Sequence, residues 1–430
     1  MADPRIKYPS AQSSSIAIVL GNFIEAFDWL AFGIFSTIIA PQYFPADDQL
    51  TSLLGLFSIF GVGMLMRPVG AVLLGRYADQ RGRKPAMIVA MVLAAFGSLL
   101  ISIAPTYGQI GVLAPVILLI ARMSQGLSAG GEWPTAAIFL MEHAPRARRG
   151  FYGSFFSMST ASGILFASAM GVGLTSWLRE TDMTAWGWRI PFALGGVLGL
   201  GLMFLRTRLG ETQPLAKRNS GKGDRSTLRR VVRHHGRDVW VSVAFFAGLA
   251  TVGPVWNAVI PALAQQQNSS GVAFLAITCS TSLAIFLNVP MGLLADRVGA
   301  RPFIMASSIL FAVAGPMAYI NLRPGFVYVT FVHAVGILYL ASVMTVLPQL
   351  IASVFPLGLR VLGVAFPQSV TIAVLGAVTS PLATWADARG ANVLFIIGVA
   401  TTALLAIPAS IVLGRSQQGV DLSLPVRRSE

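Results

Sequence analysis

Residues 75–84 read GRYADQRGRK, and residues 292–301 read GLLADRVGAR. Each stretch sets a glycine, an acid four positions on, a second glycine three further, and then cationic side chains. Each follows a long apolar run, and the two lie 217 positions apart. A second echo pairs MEHAPRARR (141–149) with SVFPLGLR (353–360), where Pro145 and Pro356 are 211 positions apart, as are Arg149 and Arg360. A short polar loop that recurs at one period between apolar runs marks a chain built as two related halves.

Around these loops the chain is 55% hydrophobic and 11% charged over 430 residues, with a mean hydropathy of +0.70. A soluble domain is about a quarter charged, so composition alone predicts an all-α or barrel membrane protein. The apolar segments run roughly 20–30 residues, which suits spanning helices rather than barrel strands. Twelve spans are predicted, at 16–40, 50–74, 85–104, 110–141, 150–178, 189–209, 238–264, 271–294, 302–321, 325–354, 361–386 and 391–414. The fold class is therefore an all-α membrane protein of two six-helix halves. The expected organisation is a tail (1–15), a first half (16–209), a basic linker (210–237) on the membrane surface, a second half (238–414) and a tail (415–430).

Net charge is +14, and all but six of the 31 lysines and arginines fall in the tails, the linker or alternate loops on one side. The exceptions are Arg67, Arg122, Arg179, Arg189, Arg323 and Arg389. This positive-inside bias places both termini in the cytoplasm and makes the basic balance a topology signal rather than a mark of nucleic-acid binding. No cleavable leader precedes the first span, so that span is expected to act as its own insertion signal. The single cysteine, Cys279, lies in an apolar run, which excludes a disulfide scaffold and a Cys-based metal site.

Two acids stand inside the first span, GNFIEAFDWLAFGIF (21–35): Glu25 and Asp28. A carboxylate in mid-bilayer costs at least about 3 kcal/mol and is too short to snorkel. Glu25 and Asp28 share a helix face with each other and with Asn22. The fourth span carries Arg122, Gln125 and Glu132 on one stripe, and Gly126 and Gly130 on an adjacent face where a neighbour can pack. At about 1.5 Å per residue, Asp28 and Arg122 fall at similar depth. Both acids are expected to face Arg122 across a polar cavity. Two close carboxylates do not ionise together easily, so one is suited to bind a proton. The competing reading is a static buried ion pair that orders the bundle.

The loop at 75–84 resembles the GxxxDxxGRK signature of the major facilitator superfamily. Gly75, Asp79, Gly82, Arg83 and Lys84 match, and Gln80 replaces a usual basic residue. In the second copy Gly292, Asp296, Arg297, Gly299 and Arg301 match, and Ala300 replaces an arginine. The first two spans, together with RMSQGLSAGGEW and Glu142, look like the metabolite:proton symporter branch, whose members include permeases for citrate, 2-oxoglutarate, shikimate and betaine osmolytes. The resemblance implies a central cavity fed by proton-coupled symport. It implies proton coupling at Glu25, Asp28 and Glu132, and substrate contact at Asn22, Arg122 and Gln125. It implies gating by Arg67, Asp79, Arg83, Glu142, Arg149, Asp296, Arg297 and Arg360. The second half departs from the branch: Ser353 takes an acidic position, and TVGPVWNAVIPALA replaces a tyrosine- and threonine-rich helix. There the deep polar or amphipathic side chains are Trp256, Asn257, Asn288, His333, Gln349 and Gln368. His333 lies 211 positions beyond Arg122, so it is the repeat's counterpart of the buried arginine. It suits either a proton carrier or a satisfied core histidine. Arg67, beside Pro68, suits a substrate anion or a partner within the first half.

No P-loop and no GxGxxG in a strand–turn–helix setting is present, so neither ATP nor a dinucleotide is implied, and no cofactor or metal is expected. The expected partners are a small-molecule substrate, protons and the lipid bilayer, with a monomer as the family's habit. The leading expectation is import of a small organic acid, a di- or tricarboxylate or a cyclic acid. The rivals are an osmolyte symporter, a proton-antiport exporter and a non-transporting sensor on a carrier scaffold. No enzyme constellation is visible.

Overall fold

A computed structural model describes residues 11–81, 83–208, 233, 235–352, 354–355 and 360–415, and contains no strand among them. The first half comprises α1 (Ala11–Ile34, resuming after a 65° bend as Ser36–Tyr43), α2 (Gln49–Arg81), α3 (Arg83–Ile103), α4 (Leu113–His143), α5 (Arg149–Trp177) and α6 (Ile190–Arg208). The second comprises α7 (Gly236–Pro254, continuing to Gln267), α8 (Ser270–Val298), α9 (Ala300–Ile320) and α10 (Phe326–Ala352), then α11 (Arg360–Thr371, continuing to Ala388) and α12 (Asn392–Leu404 with Ala406–Arg415). Eleven of these are long and apolar enough to span a membrane, and the bent α1 makes a twelfth. This is the two-half helical architecture that the spans and the repeat lead one to expect.

Proline shapes the irregular helices. In α7 a π-helical turn, Val255–Val259, directly follows Pro254. In α11 the π turn Ile372–Gly376 lies five residues beyond Pro367. Proline withholds an N–H from the helix ladder, and a π turn absorbs the mismatch locally. Each signature loop lies where one helix ends and the next begins. α2 ends at Arg81 and α3 resumes at Arg83, while α8 ends at Val298 and α9 resumes at Ala300. The corner residue Gly299 has φ of 93°, a left-handed value that disfavours any side chain.

Glycine sets how closely α2 and α4 approach. Gly126 lies against the Gly63 carbonyl, Gly130 against that of Arg67, and Gly70 against that of Leu127. The GxxxG step in α4 thus has α2 as its partner, and no side-chain carbon fits at the crossing. Gly126→Leu is expected to disrupt the first half, since overpacking a tight interface costs about 1–3 kcal/mol or more. Size-exclusion chromatography of the detergent-solubilised variant checks this. A monodisperse peak with wild-type thermal stability is the contrary result.

The halves touch at both ends. At the end bearing the basic loops, α5 crosses α8 through Gly150 and Gly292. Asp296 of α8 accepts hydrogen bonds there from the Gly150 and Phe151 amides, at 2.6 and 2.9 Å. At the opposite end Thr37 donates to Gln265 at 2.6 Å, and Gln265 donates to the Ile34 carbonyl at 2.8 Å. Phe35 packs on Phe274, with ring centroids 5.1 Å apart. Between these two seals lies a cavity.

Candidate functional site

The cavity, about 190 Å³, sits between the halves. From the first half Asn22, Glu25, Trp29, Phe60 and Arg67 line it, and from the second Asn257, Gln368 and Ile372. Its walls are mainly apolar, with a few convergent polar groups, as small-molecule sites usually are.

The two acids of α1 take different partners. Glu25 faces the cavity and pairs with Arg67 of α2 at 3.3 Å. Arg67 also donates to the Ala129 carbonyl at 3.4 Å. Asp28 turns away into the first half and is buried. Its carboxylate accepts hydrogen bonds from Ser98 of α3 and from Gln125 of α4, the latter at 2.7 Å. Gln125 also donates to Ser98 at 2.8 Å and accepts from Arg122 at 2.7 Å. The acid and the arginine therefore connect through one amide, not through a direct pair. Where the sequence reading sends both acids to Arg122, the structure sends Glu25 to Arg67. Residues three apart on a helix still differ by about 60° in direction, which is enough to divide them between α2 and the α3–α4 groove.

Arg122 is fully buried. Its guanidinium carbon lies 4.2 Å from the Trp29 ring centroid, 4.3 Å from that of Phe32 and 4.9 Å from that of Phe60. Desolvated cation–π contacts contribute about 2 kcal/mol, and here three rings surround one cation. Its Nε and Nη2 have no hydrogen-bond partner among the described residues. Trp29, Ser98, Phe32 and Phe60 border Asp28 and Arg122 and are not singled out by sequence reasoning. The available signals were an indole adjoining Asp28 and a serine in the apolar run of α3 at a depth similar to that of Asp28.

Asn22 lines the cavity, but its amide is occupied in tying α1 to α5, donating to Ser159 at 2.7 Å and Thr160 at 2.9 Å. In the second half Asn257 and Gln368 reach the cavity. Trp256, Asn288 and His333 do not line it. Trp256 donates to the Val332 carbonyl at 3.0 Å and packs on Phe311. His333 Nδ1 sits 2.7 Å from the Ser280 hydroxyl. Asn288 lies 3.4 Å from the Thr345 hydroxyl. All three are buried among second-half side chains rather than exposed to the cavity.

Of the gating candidates, Asp296 bridges the halves as described, and Arg297 of the same loop is exposed. Arg149 begins α5, one residue before the capped Gly150. The side chains of Asp79, Arg83, Glu132, Glu142 and Arg360 lie outside the described residues. No cluster of three or more His, Cys, Asp or Glu suited to a metal occurs among the described residues.

The sequence model described as "Sugar (and other) transporter" matches residues 14–242. A citrate-proton symporter of Klebsiella pneumoniae is 33% identical over 387 residues, covering 86% of this chain and 84% of that one. This chain belongs to the major facilitator superfamily. An alpha-ketoglutarate permease of Escherichia coli is 31% identical over 410 residues, with 94% and 93% covered. A crystal structure of a D-xylose-proton symporter superposes with a TM-score of 0.72 over 94% of this chain and 97% of that one. At 16% identity, that likeness concerns the fold alone. This chain is a multi-pass membrane transporter and not an enzyme.

Proposed function

We propose that this transporter imports a small organic acid together with protons, from relatives that do so and from the arrangement of Asp28 and Arg122. The observation that carries the reading is the Asp28–Gln125–Arg122 connection beside the cavity. A buried carboxylate joined to a buried cation through one amide can gain or lose a proton without losing its hydrogen-bonding setting. Asp28 is the proton-binding acid in this reading. Arg122 stabilises its ionised form, and Gln125 and Ser98 hold it in place. Glu25 neutralises Arg67 until an anionic substrate takes its place, a charge-assisted exchange. The citrate-proton symporter and the alpha-ketoglutarate permease support an organic acid as the substrate class.

The remaining assignments belong to the same reading. The cycle rocks two halves about the central site, with Asp296 latching the end that bears the basic loops. That end faces the cytoplasm of a bacterial cell, with residues 210–237 as a cytoplasmic linker between the halves. The chain acts as a monomer. Glu132, Asp79, Arg83, Glu142 and Arg360 are assigned to proton exit and gating on the motif alone.

Uptake into proteoliposomes under an acid-outside gradient tests the reading. The panel is citrate, tricarballylate, 2-oxoglutarate, shikimate, an aromatic acid and betaine. Accumulation of one acid that collapses with a protonophore is the expected result. Uptake of betaine alone, or of an acid regardless of the proton gradient, overturns it.

A further inference from the structure

Two groups of charged side chains sit side by side in the first half, and one side chain stands between them. The cavity holds the Glu25–Arg67 pair. Asp28, Gln125 and Arg122 lie behind it and are not part of its lining. Trp29 is the wall. It lines the cavity, its ring centroid is 4.2 Å from the Arg122 guanidinium carbon, and the same centroid is 5.5 Å from that of Arg67. Phe60, with its centroid 5.3 Å from that of Trp29, extends the wall.

The atoms of Arg122 that lack partners are informative. Nη1 is taken by Gln125, whereas Nε and Nη2 have no acceptor among the described residues. Nε and Nη2 form the side-on edge of a guanidinium, the pair of parallel N–H groups that a carboxylate accepts from in bidentate fashion. Leaving two buried donors unsatisfied is costly, and buried donors of this kind call for an explanation, of which a functional role is one. The charged groups around Asp28 are Arg122 on α4 and, across the indole, Glu25 and Arg67. α3 contributes Ser98, and α6 contributes Gly195, where a side-chain carbon would lie 2.7 Å from the Asp28 Oδ1.

We infer that Trp29 is a displaceable partition over a carboxylate subsite on the side-on edge of Arg122. This rests on the organic-acid reading for the identity of the carboxylate. With the indole in place, its ring shields Arg122 and keeps cavity water from Asp28. A substrate carboxylate drawn in by Arg67 displaces the ring and accepts from Nε and Nη2. Cavity water then reaches Asp28, whose carboxylate takes up one proton to become the neutral acid. Trp29 is a positioning residue in this scheme: it makes proton uptake conditional on substrate.

Proton leak measures the partition without any substrate. Wild-type chain, Trp29→Ala, Trp29→Phe and the double variant Trp29→Ala/Asp28→Asn are placed in liposomes with an entrapped pH dye, and a pH gradient is imposed. Trp29→Ala is expected to leak protons about tenfold faster than wild type, because water now reaches the acid. Trp29→Phe is expected to stay tight, and the double variant to return to the wild-type rate. Where Trp29→Ala does not fold, Trp29→Leu, which lacks the aromatic ring, takes its place. A tight Trp29→Ala, or a leak that persists without Asp28, overturns the partition. In the same vesicles, gradient-driven citrate accumulation by Trp29→Ala is expected to fall further than its citrate-for-citrate exchange. If the wild type moves no acid at all, the organic-acid reading fails, and the leak assay still decides the partition.

Discussion

Replacing Arg122 with glutamine is expected to abolish gradient-driven accumulation while leaving a folded protein. The side chain makes one hydrogen bond, to Gln125, and otherwise rests among three aromatic rings. Glutamine removes the charge and both unpartnered donors, and Ser98 and Gln125 remain to hold Asp28. The bundle loses the cation–π contacts but is relieved of a buried charge, and removing a buried charge offsets much of that loss. Asp28 loses the nearby cation that stabilises its ionised form, so it holds its proton and cannot release it on the far side. A loss on the order of 100-fold corresponds to about 2.7 kcal/mol, within reach of one charge interaction at reduced dielectric. Asp28→Asn makes the complementary case. It is expected to lose accumulation by a similar factor while still exchanging substrate across the membrane, since the amide neither gains nor releases a proton. Thermal stability in detergent, exchange and accumulation are measured side by side. Accumulation by Arg122→Gln at more than a tenth of the wild-type rate removes the arginine from the coupling step.

Gly292→Leu is expected to stop the cycle at a different point. A Cβ on Gly292 would lie 2.6 Å from the Gly150 carbonyl oxygen and 3.0 Å from the Ser154 Cβ. The crossing joins one half to the other, so each half still folds. What fails is closure of the end that Asp296 latches onto the start of α5. Overpacking costs about 1–3 kcal/mol, which shifts a two-state equilibrium by about 5- to 150-fold. The variant is therefore held open at that end, and net uptake falls by a comparable factor. Cysteine labelling reports the conformation directly. In a Cys279→Ser background, Ser157→Cys lies on the cavity wall and is expected to label faster from the basic-loop side once Gly292 is leucine. Unchanged labelling with wild-type uptake would mean that the crossing is not a seal.

The sequence yielded depth and neighbourhood along each helix, but not direction around it. The twelve spans, the two halves and the corner glycine Gly299 are legible because each leaves a run, a repeat or a charge bias. Asp28, Gln125 and Arg122 are legible as a group because their depths match. The split between Glu25 and Asp28 is not, since it depends on how far α1 is rotated against α2 and α3, which no one-dimensional count contains. The same holds for Trp29, whose role depends on which two cations its ring meets. Trp256, His333 and Asn288 show the converse: polar or amphipathic character at mid-depth selects buried positions, and only packing decides between core and cavity. The bend after Ile34 and the π turn of α11 left no sequence signal beyond prolines that many membrane helices carry.

Within six residues of α1, about 9 Å of its length, Asn22 is tied to α5, Glu25 to α2, and Asp28 to α3 and α4. The helix is a shaft keyed at three heights to four different neighbours. Turning it to release one key strains the other two. The break at Phe35 then acts as a universal joint. Beyond it, Thr37 engages Gln265 of the other half, so the outer seal can swing while the keyed shaft stays in register. A carrier needs its proton site to hold still while its doors move, and this jointed first helix separates the two motions.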